Sequence, residues 1–198
     1  MKRLSILAIT LFTVTVLSAQ AQQVQVEKVD VKDIKFDTQP TPQFQAGNVK
    51  SKNIPNPKDW LEVEVEFEAK ANEREAVIPE LLFRYYVAIE AKDKSTKVLT
   101  GDVTHVSVVS GEEYYSAVYI APQTLGTITG DFRRFQTGAV KAVAVEVFFN
   151  GVSKGGQSSG PSGRWWEAGQ TQAGVLSREK TPFALLWIDR YAEVKSGD

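Results

Sequence analysis

Apolar and polar residues alternate along most of this chain. The clearest stretch is Leu61-Glu62-Val63-Glu64-Val65-Glu66-Phe67-Glu68-Ala69-Lys70, with odd positions apolar and even positions charged. A period of two predicts a strand with one face buried and the other wet. The glutamate ladder then reads as a solvated sheet face that discourages edge aggregation. Residues 24–36 alternate in broken phase: Val24 and Val26 match, then Val29 and Val31, then Ile34 and Phe36. Each step of three in place of two predicts a bulge, or a strand passing from one sheet to another. Residues 37–59, with prolines at 40, 42, 55 and 57, form a connector too long and polar for a hairpin.

Further strands are expected over residues 81–91, 98–109, 114–120 and 139–149, with turns at 92–97 and 110–112 and a stop at Ala121-Pro122. A helical turn is expected around Asp131-Phe132-Arg133-Arg134-Phe135. The glycine-rich residues 154–163, after the turn pair Asn150-Gly151, read as a mobile connector, and residues 181–194 as the last strand. Seven to nine strands without a convincing amphipathic helix predict an all-β fold, a two-layer antiparallel sandwich of immunoglobulin-like type. A closed barrel is the competing architecture. The charged outward row Glu62 to Glu68 argues against a barrel in lipid.

The first residues change the address. Met1-Lys2-Arg3, an apolar run over residues 4–17 and Ala19-Gln20-Ala21 have the three parts of a secretory signal peptide. Fourteen residues rise about 21 Å as a helix, short of a hydrocarbon core of about 30 Å. Residues 1–21 are therefore expected to be removed, leaving one domain over 22–198, secreted to the periplasm or outer cell surface, with no membrane span after cleavage. A chain without cysteine must rely on packing, and lipid attachment at a lipoprotein cysteine is excluded. Removing Lys2 and Arg3 from the 23 basic residues leaves 21 against 24 acidic, a net charge of −3, which gives no electrostatic case for nucleic acid.

Candidate chemistry is sparse. His105 is the only histidine, and no Gly-x-Ser-x-Gly nucleophile turn, His-Glu-x-x-His metal motif or phosphate-cradling Gly-Lys-Ser/Thr loop accompanies it. No enzyme activity, cofactor or metal is expected. Two segments point to binding instead. Two adjacent tryptophans, Trp165 and Trp166, cannot both point inward from an extended backbone, so one is expected at an interface or as a stacking platform for sugar rings. Val24, Val26, Val29 and Val31 lie on a first strand whose broken phase suits an edge able to add to a partner's sheet.

Three stretches carry a family likeness: Trp60-Leu61-Glu62-Val63-Glu64-Val65-Glu66-Phe67, Pro79-Glu80-Leu81-Leu82-Phe83-Arg84-Tyr85-Tyr86-Val87 and Lys180-Thr181-Pro182-Phe183-Ala184-Leu185-Leu186-Trp187-Ile188-Asp189-Arg190-Tyr191. Together they make the chain resemble the secreted pilus-like proteins of the Verrucomicrobia, including Akkermansia. The resemblance implies an immunoglobulin-like fold and a non-enzymatic role at the cell surface or in the periplasm, linked to pilus-associated machinery. It carries no catalytic residues. Two functional expectations follow: a structural or interaction protein that self-associates or binds a protein partner, and a module that binds a glycan or peptide.

Overall fold

A computed structural model describes residues 24–197, apart from 46, 49 and 51. The expected signal peptide lies outside the described residues. Nine strands and one short helix follow in order: β1 (Val26–Pro40), β2 (Asp59–Ala71), β3 (Val77–Glu90), β4 (Thr96–Val109), β5 (Glu113–Ile120), α1 (Pro122–Thr129), β6 (Val140–Phe149), β7 (Val152–Ser158), β8 (Thr171–Ala173) and β9 (Val175–Ser177). One sheet has the order β1-β2-β5-β9 and the other β7-β6-β3-β4-β8. The chain changes sheet between β2 and β3, between β4 and β5, between β5 and β6, and again between β8 and β9. This is the two-layer immunoglobulin-like sandwich that the alternation predicts. It departs from a purely antiparallel arrangement at one place, where β8 runs parallel to β4.

The core lies between the sheets. On β2, Leu61, Val63, Val65, Phe67 and Ala69 are fully buried, and they face Leu81, Phe83, Tyr85, Val87 and Ile89 of β3 with Val143, Val145 and Val147 of β6. Burying each large apolar side chain contributes about 1.5–3 kcal/mol, so these layers dominate the stability. The phase breaks of the first strand are real bulges: its register against β2 shifts between Val26 and Lys28, and again between Val31 and Asp33. The first shift returns Val29 to the core face and the second returns Ile34.

Three local expectations are corrected. The helix occupies Pro122–Thr129 instead of the segment around Asp131. Pro122 presets the first turn, Gly130 ends the helix at φ 80°, and Asp131 is spent accepting from the backbone N–H groups of Arg133 and Arg134. The glycine-rich segment is in large part a strand, β7, reached from β6 through Asn150 and Gly151, both at positive φ. A Cβ on Gly155 would stand 1.9 Å from the carbonyl oxygen of Val29, so glycine there is a condition for β1 and β7 to meet.

The third correction concerns residues 181–194, which form no strand. Pro182 lacks the N–H a ladder needs, and Trp187 sits in the left-handed region at φ 52°. Its apolar side chains split: Phe183 is 1% exposed, while Leu185, Trp187 and Ile188 are 72%, 48% and 57% exposed. The segment is a strap of turns laid over the outer face of the first sheet. There Phe183 stacks on Tyr119 at 4.4 Å and meets Trp60 edge-on at 5.8 Å. The chain then stitches the two sheets along the β4/β5 side. Ala192 donates its N–H to the Tyr115 carbonyl of one sheet, and Val106 and Lys195 pair with Glu193 and Thr104 across β4 of the other.

Candidate interaction sites

The first strand is an edge strand, as its sequence suggests. Among the described residues it pairs only with β2, and its other side approaches β7 at Gly155. Val26 and Val29 are 2% and 3% exposed, and Val24 and Val31 are half-buried against the same core. The four valines therefore hold the strand down, and their side chains present nothing to a partner in the single chain. The wet side of β1 carries charge. Lys32 reaches Glu68 and Glu113, and Lys28 and Lys70 both reach Asp30. The hydrogen bond from Lys28 holds the Asp30 carboxyl below its ordinary range. Alternating charge and two bulges are the usual protections of an exposed edge.

The tryptophan pair sits in a 3-10 turn, Trp165–Glu167, so the extended-chain expectation fails and both rings turn toward the protein. They cover the outer face of the second sheet. Trp166 is 8% exposed and stacks on Tyr86 of β3 at 5.1 Å, and Trp165 meets it edge-on at 5.4 Å. Trp165 donates Nε1–H to Ser158 Oγ at 2.8 Å. Arg164 lies over the Trp166 ring and bonds both Glu146 and Glu167. Tyr86 donates its phenol to Glu146, and burial with that carboxylate pushes the phenol up to about 12. A shallow groove of about 250 Å³ runs beside this corner, lined by Glu146, Gly156, Gln157, Arg164 and Trp166. Among the described residues, Trp166 Nε1 is the buried side-chain polar atom left without a hydrogen-bond partner. With Tyr86 and Arg164 against it, the Trp166 ring offers no open platform to a sugar.

His105 has a partner that sequence reading missed. Its Nε2 lies 2.6 Å from Ser116 Oγ, and Nδ1 lies 3.2 Å from the Glu193 carbonyl. A carbonyl only accepts, so Nδ1 carries the proton and Nε2 accepts from Ser116, whose oxygen in turn accepts from Tyr85 at 2.6 Å. A serine–histidine hydrogen bond is the core of nucleophilic catalysis when a substrate can reach it. Here His105 is 1% exposed and Ser116 is fully buried between the sheets, which closes that pair to any carbonyl carbon. No group of three or more His, Cys, Asp or Glu able to hold a metal occurs among the described residues.

A family model matches residues 19–198, nearly the whole chain. The protein belongs to the pilus-like family of the Akkermansia type. A crystal structure of a protein from Akkermansia muciniphila is similar to it with a TM-score of 0.75 and 26% identity, covering 89% of this chain and 96% of that one. No curated relative matches.

In this member of the pilus-like family, the strap is held by charge as well as stacking. Arg190 grips Glu64 of β2 through two hydrogen bonds of 3.0 and 2.7 Å while lying 4.0 Å over the Tyr115 ring, and Tyr191 donates to the same carboxylate. Arg190 holds the Glu64 carboxyl below its ordinary value against the opposing effect of burial. Tyr119 donates to Glu62, and burial pushes its phenol far above the usual range. Part of the glutamate row thus anchors the strap in addition to facing solvent. No helix among the described residues is long and apolar enough to cross a membrane.

Proposed function

We propose that this protein is a non-enzymatic structural and interaction component exported from the cytoplasm, working at the cell surface or in the periplasm with pilus-associated machinery. One observation carries the reading. The groups able to do chemistry are spent inside the fold: His105 and Ser116 bond each other in the core, Glu62 accepts from Tyr119 of β5, and Glu64 binds the strap. What the surface offers is charge and scattered apolar side chains, the materials of protein recognition. The amino-terminal pattern of charge, apolar run and small residues supports export.

The test is crosslinking in the producing cell, followed by fractionation and identification of what the chain is bound to. The expected result is a processed chain outside the cytoplasm, joined to protein partners. An unprocessed cytoplasmic chain would refute the reading. So would hydrolysis of a generic ester, peptide or glycoside that His105→Ala abolishes.

A second reading rests on the orphaned Trp166 N–H beside the Arg164–Glu146 groove. The donor is buried, so a glycan or peptide hydroxyl or carbonyl would complete it by entering as the Trp165–Trp166 turn opens. Trp166→Phe keeps a ring and removes the donor. Loss of an array signal in that variant would support the reading, and no signal from the wild-type protein would reject it.

A further inference from the structure

The two ends of the sandwich differ in charge. One end is made by the turns after β2, β4 and β6. They carry Glu73, Glu75 and Glu112 against the single cation Arg74, which among the described residues pairs only with its neighbour Glu75. The other end is made by the connector from β1 to β2, the turn after β3 and the loop around α1. Between Thr41 and Lys58 the connector contains Lys50, Lys52 and Lys58 and no carboxylate. A cleft of about 750 Å³ opens there, lined by Pro40, Pro55, Pro57, Lys58, Arg133 and Arg134, with Asp59 as its one carboxylate. Lys58, Arg133 and Arg134 make no ion pair among the described residues, and the turn built on Asp131 holds the two arginines at the rim.

Both ends also expose large apolar side chains. Phe44, Ile54 and Phe132 are 54%, 45% and 45% exposed at the basic end, and Val77 and Val152 are 54% and 58% exposed at the acidic end. Phe132 is fixed by Gly126, where an added Cβ would lie 2.4 Å from its ring. The flanks of the sandwich are lined by its own chain, although the strap itself exposes Leu185, Trp187 and Ile188. The strap covers one sheet, the tryptophan corner lies on the other, β8, β9 and residues 191–195 line the β4/β5 side, and β1 meets β7 on the remaining one.

We infer that the occupant of the basic cleft is the acidic end of a second copy of this chain, the turn Glu73-Arg74-Glu75 entering between Lys58 and the two arginines. The inference rests on the proposed role as an interaction component and specifies its partner. Strands of about 13 residues rise roughly 44 Å, so the two surfaces lie far apart on one molecule. Contact between them is head-to-tail, and it propagates into a row unless its rotation closes a ring. Charges that pair across such a contact weaken it as salt rises.

The experiment is sedimentation velocity on the purified protein across concentration, at low salt and at about 0.5 M salt. The wild-type mass is expected to grow with concentration at low salt and to fall back in high salt. Arg133→Ala/Arg134→Ala and Glu73→Gln/Glu75→Gln, all at exposed positions, should each stay monomeric with unchanged circular dichroism. Mixed together, the two variants should form a one-to-one dimer that grows no further, since each keeps one good end. Three results would overturn the inference: a wild-type chain monomeric near millimolar concentration, variants that associate as the wild type does, or a mixture that stays monomeric. A monomeric chain that still crosslinks to another envelope protein in cells defeats this inference and leaves the proposed role standing.

Discussion

Replacing Gly155 by alanine tests how the sandwich is closed. The added methyl carbon would lie 1.9 Å from the Val29 carbonyl oxygen and 2.9 Å from its carbon, and backbone cannot rotate aside as a side chain can. To reach ordinary separation, β1 and β7 must part by at least about 1 Å, which in a packed interior costs about 1–3 kcal/mol. Alanine also relieves the entropy cost of glycine in a strand, an opposing gain of about 0.5–1 kcal/mol. The overpacking wins, for a net loss of about 1–2 kcal/mol. At roughly 2–4 °C per kcal/mol for a chain of this size, the melting temperature should fall by about 2–8 °C. Gly138→Ala is the control: a Cβ there meets nothing within 4 Å, so its stability should match or slightly exceed that of the wild type. Thermal and urea unfolding of the two variants give the comparison. If Gly155→Ala is as stable as Gly138→Ala, the β1–β7 approach is not a feature of the fold. That side of the sandwich would then be open to strand addition.

Phe183→Ala removes the ring stacked on Tyr119 and should cost about 3 kcal/mol; an unchanged urea midpoint would mean the strap is not docked. The Glu64 carboxyl is held below its ordinary value of 4.5, so its contribution is complete above that pH and is lost as pH falls through the lower folded value. Glu64→Gln should accordingly flatten the acid side of the stability profile, and parallel profiles would contradict this. Reductant should leave the melting temperature unchanged, as there is no cysteine to reduce, and so should a chelator. A drop with chelator would reveal a bound ion that stabilises the native state by mass action.

Much of the scaffold was legible because period-two alternation reports which face is buried. Leu61 to Ala69 is the clearest case, and even the two bulges of β1 could be read from the extra residue in each phase break. The misreadings share a cause: side-chain patterning says little where the side chain is absent or where the backbone turns. Gly155 and Gly156 gave β7 no pattern to show. The usable signal was the turn pair Asn150-Gly151, which after an apolar strand calls for a returning one. Residues 183–188 looked like a strand by composition, yet Leu185, Leu186, Trp187 and Ile188 are consecutive apolar residues without alternation. Trp165 and Trp166 were judged on an extended geometry that a 3-10 turn replaces. The His105–Ser116 bond joins strands in opposite sheets, and the basic cleft gathers residues from three separate stretches. Neither leaves a local trace.

The cladding of the sandwich and its polar core depend on one another. Residues 191–195 stitch both sheets along one side, and the Glu193 carbonyl accepts from the same His105 that bonds Ser116. Pulling this tail away would uncover β4 and β5 and strip a buried histidine of the acceptor that fixes its tautomer. An uncompensated buried donor costs about 1–3 kcal/mol, so the network favours the closed tail beyond its ladder bonds. Upstream, the strap is fixed independently by the Phe183–Tyr119 stack and the Arg190 grip on Glu64. Exchange of this segment between copies would have to break both attachments at once. Axial contact through the ends breaks neither, which is the physical reason to look for association there first.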